Sequence, residues 1–286
     1  RAILERIKSD ARGVIPGISR EDILCREILL PPLNEQKRIV LEASKLISII
    51  EKINVDKNEL VKAIAAYKLT ILQLAITGKL VPQDLSDEPA IDLLRRVNPN
   101  YKPCDNRHYE NVPKGWCFAK IKDIFIINPK NKANDYDMAG FVSMSMINEG
   151  YVDSYQYETR EWSSIKAGFT HFQDGDIAVA KISPCLENRK SMILKGLPNG
   201  IGAGTTELHV FRSSIVDARY ALYFFKSDYF IAQCIGTFNG VVGQQRVGKS
   251  VIEDIVFPLP PLEEQRRIAC TISVIFKHLD NILSEL

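Results

Sequence analysis

Apolar residues return at every seventh position along one stretch of the chain: Ile39, Leu46, Ile53, Leu60, Tyr67 and Leu74. Ala43, Ile50, Ile64 and Ile71 fill the companion positions four residues further on, with Lys57 as the interruption. A seam sustained over so many heptads predicts a coiled-coil helix, because a stripe of that length must be covered by another helix. A helix from Asn34 to Ala75 would span about 60 Å at 1.5 Å per residue. Thr77-Gly78 predicts its end, since glycine readily takes the left-handed conformation that closes a helix.

The residues leading into this helix occur twice. Leu30-Pro31-Pro32-Leu33-Asn34-Glu35-Gln36-Lys37-Arg38-Ile39 returns as Leu259-Pro260-Pro261-Leu262-Glu263-Glu264-Gln265-Arg266-Arg267-Ile268, offset by 229 residues. That period is too long for a solenoid and implies a duplicated junction. The prolines impose an extended run, after which a helix begins, with Asn34 expected as N-cap and Glu35 in the first turn. The second copy keeps the register. The expected helix interface is Ile39, Ala43, Leu46, Ile50, Ile53, Leu60, Ile64 and Ile71 on the first helix. On the second it is Ile268, Ile272, Ile275, Leu279 and Ile282.

Between the helices the pattern changes. Residues 78–111 form a polar connector with one helical stretch, Pro89 to Val97. From Pro113 to Pro261 short β-like runs dominate, the clearest being Ile124–Ile127, Asp176–Lys181 and Glu207–Phe211, and a helix is expected from Ala218 to Cys234. Tyr220, Tyr223, Phe224 and Phe225 fall at helical spacing and are expected in the core, as are Trp116 and Trp162. The expected fold class is α+β: a globular mixed α/β domain of about 150 residues carrying long coiled-coil helices.

Composition narrows the function. The formal charge of +2 is neither strongly basic nor acidic, so any nucleic-acid face must come from local clustering. The six cysteines lack C-x-x-C spacing and are expected to be reduced thiols. No apolar run approaches the roughly 18–20 residues of a membrane helix. The first residues, which lack an initiator Met, do not read as a signal peptide, so an internal fragment of a cytoplasmic protein is expected.

Catalytic chemistry finds no motif. Ile182-Ser183-Pro184-Cys185 lacks the amide an adenine methyltransferase loop uses to hold its target, and Gly200-Ile201-Gly202-Ala203-Gly204 is a lone Gly-rich stretch. Asp174 and Asp176 flank a glycine as in a turn, and the histidines at 108, 171, 209 and 278 lack ligand spacing. No cofactor and no metal are expected. Lys181, Arg189, Lys190, Arg212, Arg246 and Lys249, by contrast, lie mostly in Gly- or Asn-rich loops. Lysine and arginine neutralise phosphates, while Arg, Asn and Gln pair with base edges. The DNA-binding candidates are Lys181, Ser183, Asn188, Arg189, Lys190, Thr205, Thr206, Gln244, Gln245, Arg246 and Lys249.

The duplicated Leu-Pro-Pro-Leu-x-Glu-Gln-x-Arg-Ile element with its heptad helix resembles the conserved regions of type I restriction–modification specificity subunits. Thr77-Gly78-Lys79-Leu80-Val81-Pro82-Gln83-Asp84, Lys114-Gly115-Trp116, Phe172-Gln173-Asp174-Gly175-Asp176-Ile177 and Gly243-Gln244-Gln245-Arg246 are similar to further segments of that family. The resemblance implies a non-catalytic subunit that reads double-stranded DNA and scaffolds methyltransferase and restriction subunits. It divides the chain into the tail of a preceding recognition domain (1–33), a first conserved helix (34–77), a connector (78–111), a target recognition domain (112–262) and the start of a second conserved helix (263–286). Such a chain is expected to be either an interrupted or truncated subunit or a half-length form of which two copies associate through the helices. The alternative is a coiled-coil adaptor that binds protein only.

Overall fold

The computed structural model describes residues 20–24, 29–104, 113–237 and 245–286. The first elements are α1 (Arg20–Leu24), α2 (Leu33–Ile76), α3 (Ala90–Val97), β1 (Cys117–Lys120), α4 (Ile121–Ile124) and β2 (Ile126–Ile127). Then come β3 (Met138–Val142), β4 (Glu158–Glu161), α5 (Trp162–Ile165), β5 (Thr170–Gln173), β6 (Ile177–Ala180), α6 (Ser183–Glu187) and β7 (Ser191–Ile193). The last are β8 (Ile201–Gly204), β9 (Leu208–Arg212), α7 (Ala218–Phe225), α8 (Asp228–Ile235), α9 (Lys249–Asp254), β10 (Val256–Leu259) and α10 (Leu262–Glu285). The chain divides into two compact units, Arg1–Glu59 and Leu60–Leu286, and α2 contributes to both.

Both helix starts depart from the expected capping. Asn34 lies inside α2, and the helices begin at Leu33 and Leu262, directly after the second proline. The glutamine of the repeat reaches back instead: Gln36 Nε2 donates to the Pro31 carbonyl at 2.7 Å, and Gln265 Nε2 donates to the Pro260 carbonyl at 3.0 Å. The same bond in both copies explains why the element carries a Gln there. It ties the first turn to the extended run when proline leaves no side-chain cap. The predicted stop holds, with Gly78 at φ +69° and the Lys79 amide donating to the Leu74 carbonyl.

In the first unit the apolar seam of α2 is open to solvent: Ile39, Ala43, Leu46, Ile50 and Ile53 are all exposed. In the second unit Ile64 and Ile71 are buried, but Leu60 and Tyr67 are exposed, and Lys68, Leu72 and Ala75 are buried instead. The row of Ile64 and Ile71 stays in place, while in the other row Tyr67 and Leu74 give way to Lys68 and Ala75, one residue on. An α-helix of 3.6 residues per turn drifts about 20° per heptad, so after five heptads the next residue has rotated into the old place. In α10 Ile268 and Ile272 are fully buried, Ile275 and Leu279 are half-buried, and Ile282 is exposed. Within this unit α2 and α10 are antiparallel: Lys68 pairs with Asp280, whereas Gln83, beyond the end of α2, bonds Glu264 at the start of α10.

The end of α2 and the buried face of α10 share one core with Tyr220, Phe224, Phe225 and Phe257. Trp116 and Trp162 are buried as well. Around them lie three sheets, with strand orders β1-β10, β2-β9-β6-β7 and β4-β3-β8-β5. The Gly-rich run is strand β8, parallel to β3 and antiparallel to β5. A Cβ on Gly202 would sit 2.3 Å from the Phe172 ring and 2.4 Å from the Gly140 carbonyl, so the glycines there serve close packing.

Two further expectations are corrected. Ile124 ends a helical turn rather than opening a strand, leaving only Ile126–Ile127 paired with β9. The helix expected over Ala218–Cys234 is two helices. Asp217 caps the first through the amides of Arg219 and Tyr220, and Ser227 caps the second through that of Phe230. Two side-chain caps ten residues apart restart the helix at a lysine whose charge must be accommodated inside.

Candidate nucleic-acid interface

Three loops far apart in sequence meet at one end of the β2-β9-β6-β7 sheet. Strand β6 delivers Lys181, whose amide donates to the Glu207 carbonyl at 2.9 Å and whose carbonyl accepts from Val247 at 3.0 Å. Ser183 continues the pairing, its amide donating to the Gln245 carbonyl at 2.8 Å, with Ile182 and Arg246 in a β-bridge. The Thr205–Glu207 turn joins β8 to β9 and is closed by the Glu207 amide on Thr205 Oγ1 at 3.2 Å. Backbone hydrogen bonds therefore fix the cluster, and some of its side chains are held locally as well: Ser183 Oγ donates to Glu187 at 2.8 Å, and the Lys249 ammonium lies 3.4 Å from Glu253.

Across this cluster Arg246 and Glu207 form a two-pronged ion pair. The Arg246 hydrogen bond holds the Glu207 carboxyl below the usual range, while the carboxylate raises the guanidinium further. Thr206, Arg246 and Lys249 are exposed, and Lys181, Ser183, Thr205 and Gln245 are half-buried. Beneath them His209 is buried, its Nε2 3.1 Å from the Val247 carbonyl and its Nδ1 3.4 Å from the Asn128 amide nitrogen. Burial, with Lys181 and Lys249 nearby, depresses its pKa and favours neutral imidazole. Sequence reading placed His209 among scattered histidines, because an anchor beneath loops leaves no linear signal.

The other candidates are disposed differently. Asn188 is exposed at the end of α6. Arg189, at φ +59°, turns inward: it donates to the Lys226 carbonyl at 3.1 Å and pairs with Asp228. The Lys190 ammonium lies 3.3 Å from the Met144 carbonyl and 3.7 Å from Glu149. Arg212 is engaged by the buried Asp176 at 2.7 and 2.8 Å. Their charges hold the domain together. Gln244 lies outside the described residues, as do Cys25 and His108.

Among the described residues no group of His, Cys, Asp and Glu is arranged to hold a metal ion, and no helix is long and apolar enough to cross a membrane. The five described cysteines are unpaired.

This architecture matches known proteins. The family described as "Type I restriction modification DNA specificity domain" matches residues 113–286. Over 217 residues, 69% of this chain, the sequence is 42% identical to the type I restriction enzyme EcoAI specificity subunit of Escherichia coli. Over 223 residues, 71% of this chain, it is 41% identical to the EcoEI specificity subunit of the same organism. Each match covers 37% of the relative, so the chain matches little more than a third of these relatives' length. Its fold is similar to a chain from a structure of complex assembly in a type I restriction–modification system, with a TM-score of 0.64 at 15% identity over 99% of this chain and 62% of the other. The HsdS subunit from Thermoanaerobacter tengcongensis gives a TM-score of 0.52 at 17% identity, covering 97% and 60%. The family match spans more than half of the chain and takes in the whole loop cluster: the chain belongs to the type I restriction modification DNA specificity domain family.

Proposed function

We propose that the chain recognises double-stranded DNA through the loop cluster and acts, without catalysing a reaction itself, as the specificity component that positions the modification and restriction subunits of a type I enzyme. One observation carries this reading: Lys181–Ser183, Thr205–Glu207 and Gln245–Lys249 converge at one end of a sheet, joined by backbone bonds, with Thr206, Arg246 and Lys249 exposed. Arg246 and Gln245 supply the paired donors and acceptors that read guanine and adenine edges, with Gln244 immediately before them in sequence. Lys181 and Lys249 supply phosphate charge, and Ser183, Thr205, Thr206 and Asn188 add short polar contacts.

In this reading residues 112–262 are the target recognition domain, joined by the connector 78–111 to conserved helices at 34–77 and 263–286, and residues 1–33 end a preceding domain. Such a protein works in the cytoplasm, where the DNA is. The exposed residues Ile39, Leu46, Ile50 and Ile53 are the face on which a further helix sits. Eighteen residues make five α-helical turns, so Leu46, Ile50 and Ile53 repeat the angular positions of Ile64, Lys68 and Ile71. The partner is a modification subunit or a second copy of the chain.

The test is selection of duplexes from a randomised pool by the purified chain with modification subunit present. Enrichment of a defined half-site that Arg246→Ala loses is the expected result. Recovery of unselected DNA, or none, overturns the reading and leaves the protein-only adaptor.

A further inference from the structure

The connection between β3 and β4 is a finger, closed by the Ile147–Tyr155 bridge and by Asn148, whose amide donates to the Ser154 carbonyl at 3.2 Å. Tyr151 stands at its tip, and its ring touches three separate parts of the domain. Phe276 of α10 meets it edge-on at 5.4 Å between centroids. The Lys68 ammonium of α2 lies 5.6 Å from its centroid, and the Arg189 guanidinium carbon lies 5.2 Å from it. Lys68 is buried, paired with Asp280 and also 5.2 Å from the Phe276 centroid. Arg189 closes the arm that begins at Ser183, and its backbone sits in the left-handed region that a non-glycine residue rarely occupies.

That backbone is clamped from the other side. The buried Lys226 ammonium donates to the Arg189 carbonyl at 2.9 Å and to the Gly150 carbonyl at 2.8 Å, and the Gly150 amide donates to Asn188 at 2.8 Å. One aromatic ring thus joins a cation on the helix pair to a cation on the arm leading out of the loop cluster. Both cations are partly desolvated, the condition under which attraction to a ring is strongest.

We infer that Tyr151 is a positioning residue: its ring ties the Ser183–Lys190 arm to the α2–α10 helix pair, so the geometry of the reading loops depends on how the helices are seated. The inference rests on the DNA reading for its biological consequence but not for its mechanics.

The chain carrying Tyr151→Leu, Tyr151→Phe or Lys68→Met tests it by amide hydrogen exchange together with duplex discrimination. Tyr151→Leu is expected to speed exchange across residues 183–190 by about tenfold, while strands β6 and β9 keep their protection. Tyr151→Phe, which keeps the ring, is expected to restore the wild-type pattern. Lys68→Met removes one cation without removing the ring, and gives a smaller acceleration confined to the same arm. Unchanged exchange in residues 183–190, or an increase spread evenly over the domain, overturns the inference. If exchange follows the expected pattern but the wild-type chain discriminates no sequence, the mechanical tie stands and the DNA reading falls.

Discussion

Arg246 lies across Glu207 in a fork-on-carboxylate pair, Nε to Oε2 at 2.7 Å and Nη2 to Oε1 at 2.9 Å. The pair joins the loop after β8 to the loop before α9, and it aims an exposed guanidinium without locking it away. A base that takes the fork must compete with a carboxylate already in place. Arg246→Ala is therefore expected to cost about 1–3 kcal/mol of specific binding. Glu207→Ala, which removes the carboxylate paired with Arg246 and its negative charge, is expected to tighten binding to random duplex and narrow the specificity ratio. Fluorescence anisotropy on specific and random duplexes at one salt concentration measures both. Equal loss on all sequences for Arg246→Ala would make it a phosphate contact.

The two helices separate folding from assembly. Ile272 is fully buried in the core, whereas Leu46 is 61% exposed. Ile272→Ala is expected to destabilise the domain by about 2–5 kcal/mol. Leu46→Asp is expected to shift the denaturation midpoint little and to weaken assembly with the partner helix. Chemical denaturation and light scattering report the two effects separately, and a Leu46→Asp chain of unchanged assembly mass would refute the proposed seat.

Lys226 supplies a pH signature. Burial depresses its folded-state pKa to about 7, against an ordinary value near 10.5. Between those values the unfolded chain holds the extra proton, so this residue makes stability rise with pH through the window; below about 7 both states are charged and its contribution is flat. The wild-type minus Lys226→Met stability difference should therefore grow in favour of wild type from pH 7 to 9.5. A constant difference would show that the lysine titrates normally.

Asp176 and Arg212 test the turn before β6. Asp176 is almost wholly enclosed, accepts two bonds from Arg212 and takes the Gln173 amide at 2.8 Å. Asp176→Asn is expected to cost about 3 kcal/mol, because it leaves a charge that the fold has partly desolvated. A midpoint within error of wild type would mean that the guanidinium escapes to water.

Much of this was legible in the chain, and the failures have physical causes. The α2 helix, its glycine stop, the short α3 and the aromatic core of α7 follow from period, capping and spacing, which are local. The seam slip at Lys68 needed the drift of a straight helix, and a buried lysine there contradicts any rule that puts charge outside; Asp280 and two rings make it tolerable. The Gln36 and Gln265 bonds were invisible because a side chain bonding a proline carbonyl behind it carries no periodic mark. Within the candidate interface, composition pointed to the loops but could not tell projecting cations from Arg189 and Arg212, whose partners come from elements about 40 residues away in sequence.

The most direct test of the central claim is the salt dependence of duplex binding by the full chain and by a Lys181→Ala, Arg246→Ala, Lys249→Ala variant. The wild type should bind with an affinity that falls steeply as salt rises, and the variant's log–log slope should be shallower by roughly 0.9 for each lost phosphate contact. A wild-type chain that ignores DNA at low salt, or a variant whose slope matches it, would contradict a loop cluster that faces the duplex.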